Sequence, residues 1–177
     1  LPWSNVLANQ EFGCVVTESG GGYSYAYNSR ENKLTPWSND PVKDSISEAC
    51  YIRDLSSGDT FCITPRPLRD KQPYLVRHAP GFTKFQHNTD GIEAEQTVFV
   101  PPDEPVKIIA VKLKNVSGQH RDFSVTYVLR PLLGVDLGWN RYVESSLEDG
   151  VLYLQNLYNT DFPGIAFLSC SEPQATV

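Results

Sequence analysis

Apolar residues recur at every second position through much of this chain, a period that favours β-strands over helices. In DFSVTYVLR, residues 122–130, Phe123, Val125, Tyr127 and Leu129 share one face while Ser124, Thr126 and Arg130 share the other, with Val128 the exception. Ile109, Val111 and Leu113 alternate in the same way with Ala110, Lys112 and Lys114. A helix would need apolar positions three and four apart, whereas alternation sets one side of an extended strand against a core. Less regular runs of the same kind cover 11–17, 23–27, 48–54, 60–64, 74–78, 82–87, 92–100, 151–157 and 164–169.

Turn signals separate these runs: Ser57-Gly58-Asp59, Pro80-Gly81, Asp90-Gly91, the proline-rich 101–105, Ser117-Gly118 and Asp149-Gly150. Strands at this spacing predict an all-β, antiparallel two-sheet sandwich. Thr89-Asp90-Gly91 should close a hairpin, because Asp-Gly suits a tight primed turn. Only 136–146 is left open as to type. There is no internal repeat, and 1–177 reads as one domain.

A net charge of −6, with scattered Lys and Arg, argues against nucleic acid, which is bound by clustered basic residues. No apolar run approaches the roughly 20 residues of a membrane helix, and the Leu-Pro-Trp-Ser start lacks the regions of a signal peptide. The chain has no Met and reads as a piece of a longer polypeptide. Cys14, Cys50, Cys62 and Cys170 show no CxxC spacing and lie in apolar surroundings, as free buried thiols do. His78, His87 and His120 stand apart from one another and form no metal pattern.

Motifs for chemistry are sparse. Gly22-Tyr23-Ser24-Tyr25-Ala26 half-matches a nucleophile elbow, but its serine falls inside an alternating tyrosine stripe instead of a strand-to-helix turn. Gly20-Gly21-Gly22 lacks the spacing of a phosphate loop. Glu31 and Asp40, and Glu93 and Glu95, are the carboxylate pairs open to acid–base work, although solvated surface acids read the same way. The segment SGGGYSYAYNSRENKLTPWSND, residues 19–40, is richer. Tyr23, Tyr25 and Tyr27 read as one strand face, either a packed stripe or a ligand platform. The polar run that follows, with Trp37, combines directional donors with a flat apolar ring. That mixture fits carbohydrate, and it equally fits an ordered Ω-loop.

Four stretches carry a family resemblance: PWSNVLANQEFGCVVTESGGGYSYAYNSRENKLTPWSNDPV at 2–42, EACYIRD at 48–54, PYLVRHAPGFTKFQHNTDGI at 73–92, and EQTVFVPPDEPVKIIAVKLKNVSGQHRDFSVTYV at 95–128. In these the chain resembles the N-terminal β-sandwich of the inverting glycoside phosphorylases, glycoside hydrolase family 94 (formerly glycosyltransferase family 36). That family includes cellobiose and chitobiose phosphorylases and part of the cyclic β-1,2-glucan synthases; the Pro-Trp-x-Asn-Val-x-Ala-Asn opening looks most like the synthase branch.

The resemblance implies a supersandwich of galactose mutarotase-like architecture, within an enzyme that continues into an (α/α) barrel. The catalytic acid of the family is an Asp of that barrel and inorganic phosphate is the nucleophile. No catalytic residue and no cofactor are therefore expected in this chain, phosphate being a co-substrate of the parent enzyme. Family sandwiches continue past the region resembling IAFLSCSEP, so sheets lacking their last strands, with an open edge, are expected. The implied role is non-catalytic: aiding the binding of a β-linked gluco-oligosaccharide and the assembly of a homodimer, in the cytoplasm or on the cytoplasmic side of a membrane-bound parent. Carried over onto 23–40, the resemblance makes Arg30, Asn32, Trp37, Asn39 and Asp40 candidates for sugar-proximal or interface positions, with Tyr23 and Tyr25 behind them. The alternatives are a free-standing carbohydrate-binding module and a mutarotase-like epimerase, the latter needing a His and a Glu that converge.

Overall fold

The computed structural model describes residues 3–40, 42 and 45–172. Its strands are β1 (Ser4–Ala8), β2 (Phe12–Thr17), β3 (Gly22–Ala26), β4 (Glu48–Asp54), β5 (Thr60–Cys62), β6 (Tyr74–Ala79), β7 (Phe82–Thr89), β8 (Ile92–Phe99), β9 (Ile108–Asn115), β10 (Phe123–Leu129), β11 (Val143–Glu148), β12 (Val151–Asn156) and β13 (Ile165–Leu168). All pairings among these strands are antiparallel. They form sheets of order β1-β2-β3, β10-β4-β5, β6-β7-β8-β9 and β11-β12-β13.

The first three of these sheets share one apolar core. Leu7 and Cys14 come from β1 and β2, Ile52 from β4, Phe85 from β7, and Ile92, Ala94 and Val98 from β8. On β8 the buried positions are 92, 94, 96 and 98, the period-two pattern of a strand with one face inward. Polar ties cross between sheets as well. The Asn5 side chain donates to the carbonyls of Ala79 at 2.9 Å and Phe82 at 3.0 Å, binding β1 to the β6–β7 hairpin. Asn9 donates to Pro101 and Glu104, while its Oδ1 accepts from the Glu11 and Phe12 amides. Both asparagines of the PWSNVLAN stretch are thus structural. Asp54 accepts from the Ser56 and Ser57 amides and pairs with Arg121, whose guanidinium also reaches the Asp90 carbonyl.

The expected hairpin at Asp90-Gly91 is present, with φ of +45° and +75° at its two central residues and Thr89 paired to Ile92. These are the left-handed angles of a type I′ turn. Asp149-Gly150 closes β11–β12 in the same way. Three details depart from the alternation. β1 escapes the pattern because Val6 on its outer face is apolar yet 62% exposed. The open segment becomes a 3₁₀ helix, Leu137–Tyr142, capped by Asp136 through the Gly138 amide, and leads directly into β11. Val125 is exposed although its alternation points inward, because β10 lies at a sheet edge.

His87 is taken up by structure, His78 meets Thr83 Oγ1 through Nδ1 at 3.0 Å, and His120 is exposed. His78 lies opposite Thr83, and His87 opposite Tyr74, so the two do not face one another. The fully buried His87 ring contacts Asp70 Oδ2 at 2.8 Å and the Pro73 carbonyl at 3.2 Å, with the Tyr74 ring stacked 3.8 Å away. Glu93 pairs with Lys114 and Glu95 with Lys84 across neighbouring strands, so both act as cross-strand partners on the sheet surface.

Phe85 is 1% exposed at the centre of the shared core. Phe85→Ala is expected to cost about 3–5 kcal/mol by removing buried area and leaving a cavity, read as a lowered midpoint in urea denaturation.

Candidate functional site

The segment from Tyr23 to Asp40 takes its shape from the end of β3. Pairing with β2 stops at Ala26. Tyr27 then turns away with a φ of +60° and is 66% exposed; it leaves the strand face it was expected to share with Tyr23 and Tyr25. Asn28 folds the chain back. Its Oδ1 accepts from the amides of Arg30 and Glu31, both at 2.9 Å, and its carbonyl accepts from the Asn32 amide at 3.1 Å. This is how an Asx turn mimics a backbone turn. The buried Asn32 donates to the Ala26 carbonyl at 3.1 Å and accepts from Asn159 at 3.2 Å. Lys33 bridges to both Tyr25 and Gly134, and Leu34 donates to Ser24 while accepting from Leu132. The returning arm is therefore stitched to β3 on one side and to 132–134 on the other.

Beneath this arm lies a polar cluster in which Ser24 and Thr35 are buried and the Glu48 and Lys107 side chains are 16% and 14% exposed. Glu48 Oε1 accepts from Ser24 Oγ at 2.9 Å and Thr35 Oγ1 at 3.0 Å. Its Oε2 accepts from the Tyr127 hydroxyl at 2.6 Å and from the Lys107 ammonium, which also donates to Ser24 Oγ at 2.7 Å. Thr35 accepts in turn from the Ser24 amide at 2.9 Å. Burial alone would raise the Glu48 carboxyl; the Lys107 charge, then the hydrogen bonds from Lys107, Tyr127 and Ser24, outweigh it and hold the group at about 2. Burial, and next the Glu48 charge, push the Tyr127 phenol well above its ordinary value. Ser24, the serine of the half-matched elbow, is 4% exposed, and its hydroxyl is engaged by Lys107 and Glu48. Burial pushes the Cys14 and Cys50 thiols up to about 11, which leaves them poor nucleophiles at neutral pH.

On its other side the segment packs aromatic rings, of which Tyr23 is buried at 8% exposure and Tyr25 and Trp37 are half-buried. Trp37 stacks on Tyr23 with ring centres 4.9 Å apart and planes inclined by 19°, and Tyr25 lies 5.7 Å from Tyr23. Tyr23 also donates to the Ser29 carbonyl at 3.2 Å. The Tyr25 ring covers Gly13 on the paired strand so closely that a Cβ there would fall 2.4 Å from it. In the same segment Arg30 is exposed and pairs with Glu31 at 3.2 Å, and Asn39 is exposed with a φ of +60°. Asp40 Oδ1 accepts from the Val42 amide at 2.9 Å. Flat ring faces suit the C–H groups of a sugar, and planar amide and guanidinium donors suit its hydroxyls.

The glycosyl hydrolase 94 supersandwich domain matches residues 1–177. An N,N'-diacetylchitobiose phosphorylase of Vibrio proteolyticus is 33% identical over 180 residues, covering 95% of this chain and 22% of that protein. The chain belongs to the glycosyl hydrolase 94 supersandwich-domain family. A cyclic beta-(1,2)-glucan synthase of Rhizobium meliloti is 31% identical over 167 residues, covering 92% of this chain and 6% of that protein. An N,N'-diacetylchitobiose phosphorylase of Vibrio furnissii is 29% identical, covering 96% of this chain and 23% of that protein. The chain spans less than a quarter of the length of these curated relatives.

In this supersandwich domain the seven sequence candidates divide by position. Trp37, Tyr23 and Tyr25 form the aromatic group, Arg30 and Asn39 are exposed near it in sequence, and the half-buried Asp40 accepts from the Val42 amide. Asn32 faces inward, as does Thr35 at 2% exposure, so the loop does not present all of 30–40 to solvent. Sequence reasoning passed over Glu48, Lys107, Tyr127 and Thr35. The available signal was a charged residue at the margin of each of two strongly apolar runs, SEACYI and PVKIIAV.

Thr35→Val keeps the shape but removes the link between the Ser24 amide and Glu48. A cost of about 1–3 kcal/mol is expected, with a shift in Trp37 emission, read by fluorescence in a Trp3→Phe, Trp139→Phe background. The folded Glu48 value lies below the ordinary 4.5, so its contribution is full above pH 4.5 and is lost as pH falls toward 2. That contribution is roughly 3 kcal/mol. Denaturation at a series of pH values should show a shallower loss over this window in Glu48→Gln than in the wild type. The variant should also be less stable at neutral pH, where Lys107 lacks its counter-charge.

Proposed function

We propose that this supersandwich domain is a non-catalytic, carbohydrate-associated part of a longer glycoside phosphorylase or cyclic β-glucan synthase. Residues 1–177 form one sandwich unit of that enzyme, and it helps bind a β-linked gluco-oligosaccharide and assemble the parent as a homodimer. The chemistry, with inorganic phosphate as co-substrate, belongs to an (α/α) barrel elsewhere in the parent chain. The observation that carries this reading is the loop itself. Its inner side is tied to the Glu48 carboxylate through Thr35, while the half-buried Trp37 stacks over the buried Tyr23 ring. The accessible parts of the Trp37 and Tyr25 rings, fixed from beneath, suit binding better than proton transfer. Arg30, Asn39 and Asp40 are its sugar-proximal or interface positions, and Asn32 supports it from within.

The names of the relatives support the substrate class, since those of Vibrio are phosphorylases of a disaccharide and that of Rhizobium a glucan synthase. No helix among the described residues is long and apolar enough to cross a membrane. A cytoplasmic location belongs to the same proposal, supported by four thiols that are all unpaired.

The test uses the full-length parent and this chain side by side. The parent should release a sugar 1-phosphate from, or transfer glucosyl units between, β-linked gluco-oligosaccharides. Trp37→Ala and Arg30→Ala should raise KM by on the order of tenfold, equivalent to about 1.4 kcal/mol, with less change in kcat. Equal kinetics in both variants would remove the loop from the site. Millimolar or tighter binding by the isolated chain, abolished in Trp37→Ala, would instead make it a carbohydrate-binding module in its own right.

A further inference from the structure

Gln96 is the one polar side chain in the inward row of β8, flanked by Ala94 and Val98, and it is 8% exposed. Its Oε1 is buried and has no hydrogen-bond partner in the protein. A buried amide oxygen left in that state costs about 1–3 kcal/mol, so its surroundings matter. It lines a cavity of about 40 Å³ together with Glu48, Lys107, Tyr127, Val16 and Phe85.

The neighbouring polar cluster narrows what this cavity takes. A carboxylate offers about four acceptor sites, and Glu48 fills them with Ser24, Thr35, Lys107 and Tyr127. The Ser24 hydroxyl donates to Glu48 and accepts from Lys107. Lys107 has three donors, of which Glu48 and Ser24 take two. One ammonium N–H and one amide oxygen are left over, and both residues border the same cavity. A cation is disfavoured beside the Lys107 ammonium. An anion would meet the Gln96 oxygen and the Glu48 carboxylate. A neutral molecule that both accepts and donates meets both requirements, and the volume exceeds the roughly 10–15 Å³ that a single water needs.

We infer that this cavity is a binding site for an ordered water that accepts from Lys107 Nζ and donates to Gln96 Oε1. The water joins β8 to the Glu48 cluster, and so links the four-stranded sheet to the strand and loop that carry Tyr23 and Trp37. The site stands independently of any sugar-binding role, since it rests on the donors and acceptors of the core alone.

Crystals of this chain, or of the longer polypeptide that carries it, test the inference at a resolution that shows ordered solvent. The expected result is a solvent oxygen roughly 2.7–3.2 Å from both Gln96 Oε1 and Lys107 Nζ. That oxygen should be lost in Gln96→Leu, which keeps the volume close and removes the acceptor. In solution, oxygen-17 relaxation dispersion should show a long-lived water in the wild type that Gln96→Leu lacks. An empty cavity in the wild-type density would overturn the assignment. So would a Gln96 oxygen bonded to a protein donor, or a water that persists unchanged in Gln96→Leu.

Discussion

The ion pair between Glu48 and Lys107 is the interaction on which the geometry of the candidate site depends. A buried carboxylate is costly unless charge and hydrogen bonds replace the water it gives up. Here one lysine and three hydroxyls do so, and each comes from a different part of the chain: Ser24 on β3, Thr35 in the loop, Lys107 just before β9, and Tyr127 on β10. Because every acceptor site of Glu48 is used, moving any one partner leaves an unmet group in the core. That requirement fixes where these elements sit relative to one another more narrowly than apolar packing would, since apolar contacts have no direction.

The loop gains a clear division of labour from this arrangement. Residues that face inward, Asn32, Thr35 and the side-chain amine of Lys33, are spent on holding the backbone to Ala26, Glu48 and Val135. The half-buried Trp37 is then carried on a backbone with little freedom, its ring held in register over the buried Tyr23. Preorganised surfaces lose less entropy on binding.

Much of the architecture was legible in the chain because β-structure leaves a local mark. Period-two alternation marked most of the strands, and Asp-Gly marked the turns at residues 90 and 149, where both central residues adopt positive φ. The long 2–42 stretch carried the family. What was not legible was the direction of individual side chains. Tyr27 continued the tyrosine stripe in sequence, but the strand ended one residue before it. Asn32 had the composition of a sugar ligand, yet its amide was needed to satisfy Ala26 and Asn159. The strand β1 was missed because its outer face is as apolar as its inner one.

By itself, then, the sequence determined that the chain is an antiparallel β-structure of this family, since strand period, turn chemistry and motif order all act over a few neighbouring residues. Only the tertiary structure decided which polar residues form the core network and which meet solvent. Glu48 stands 59 residues from Lys107 and 79 from Tyr127, and no local pattern records a partner at that distance. Charge pairing acts through space, so its outcome is settled when the sheets close on one another.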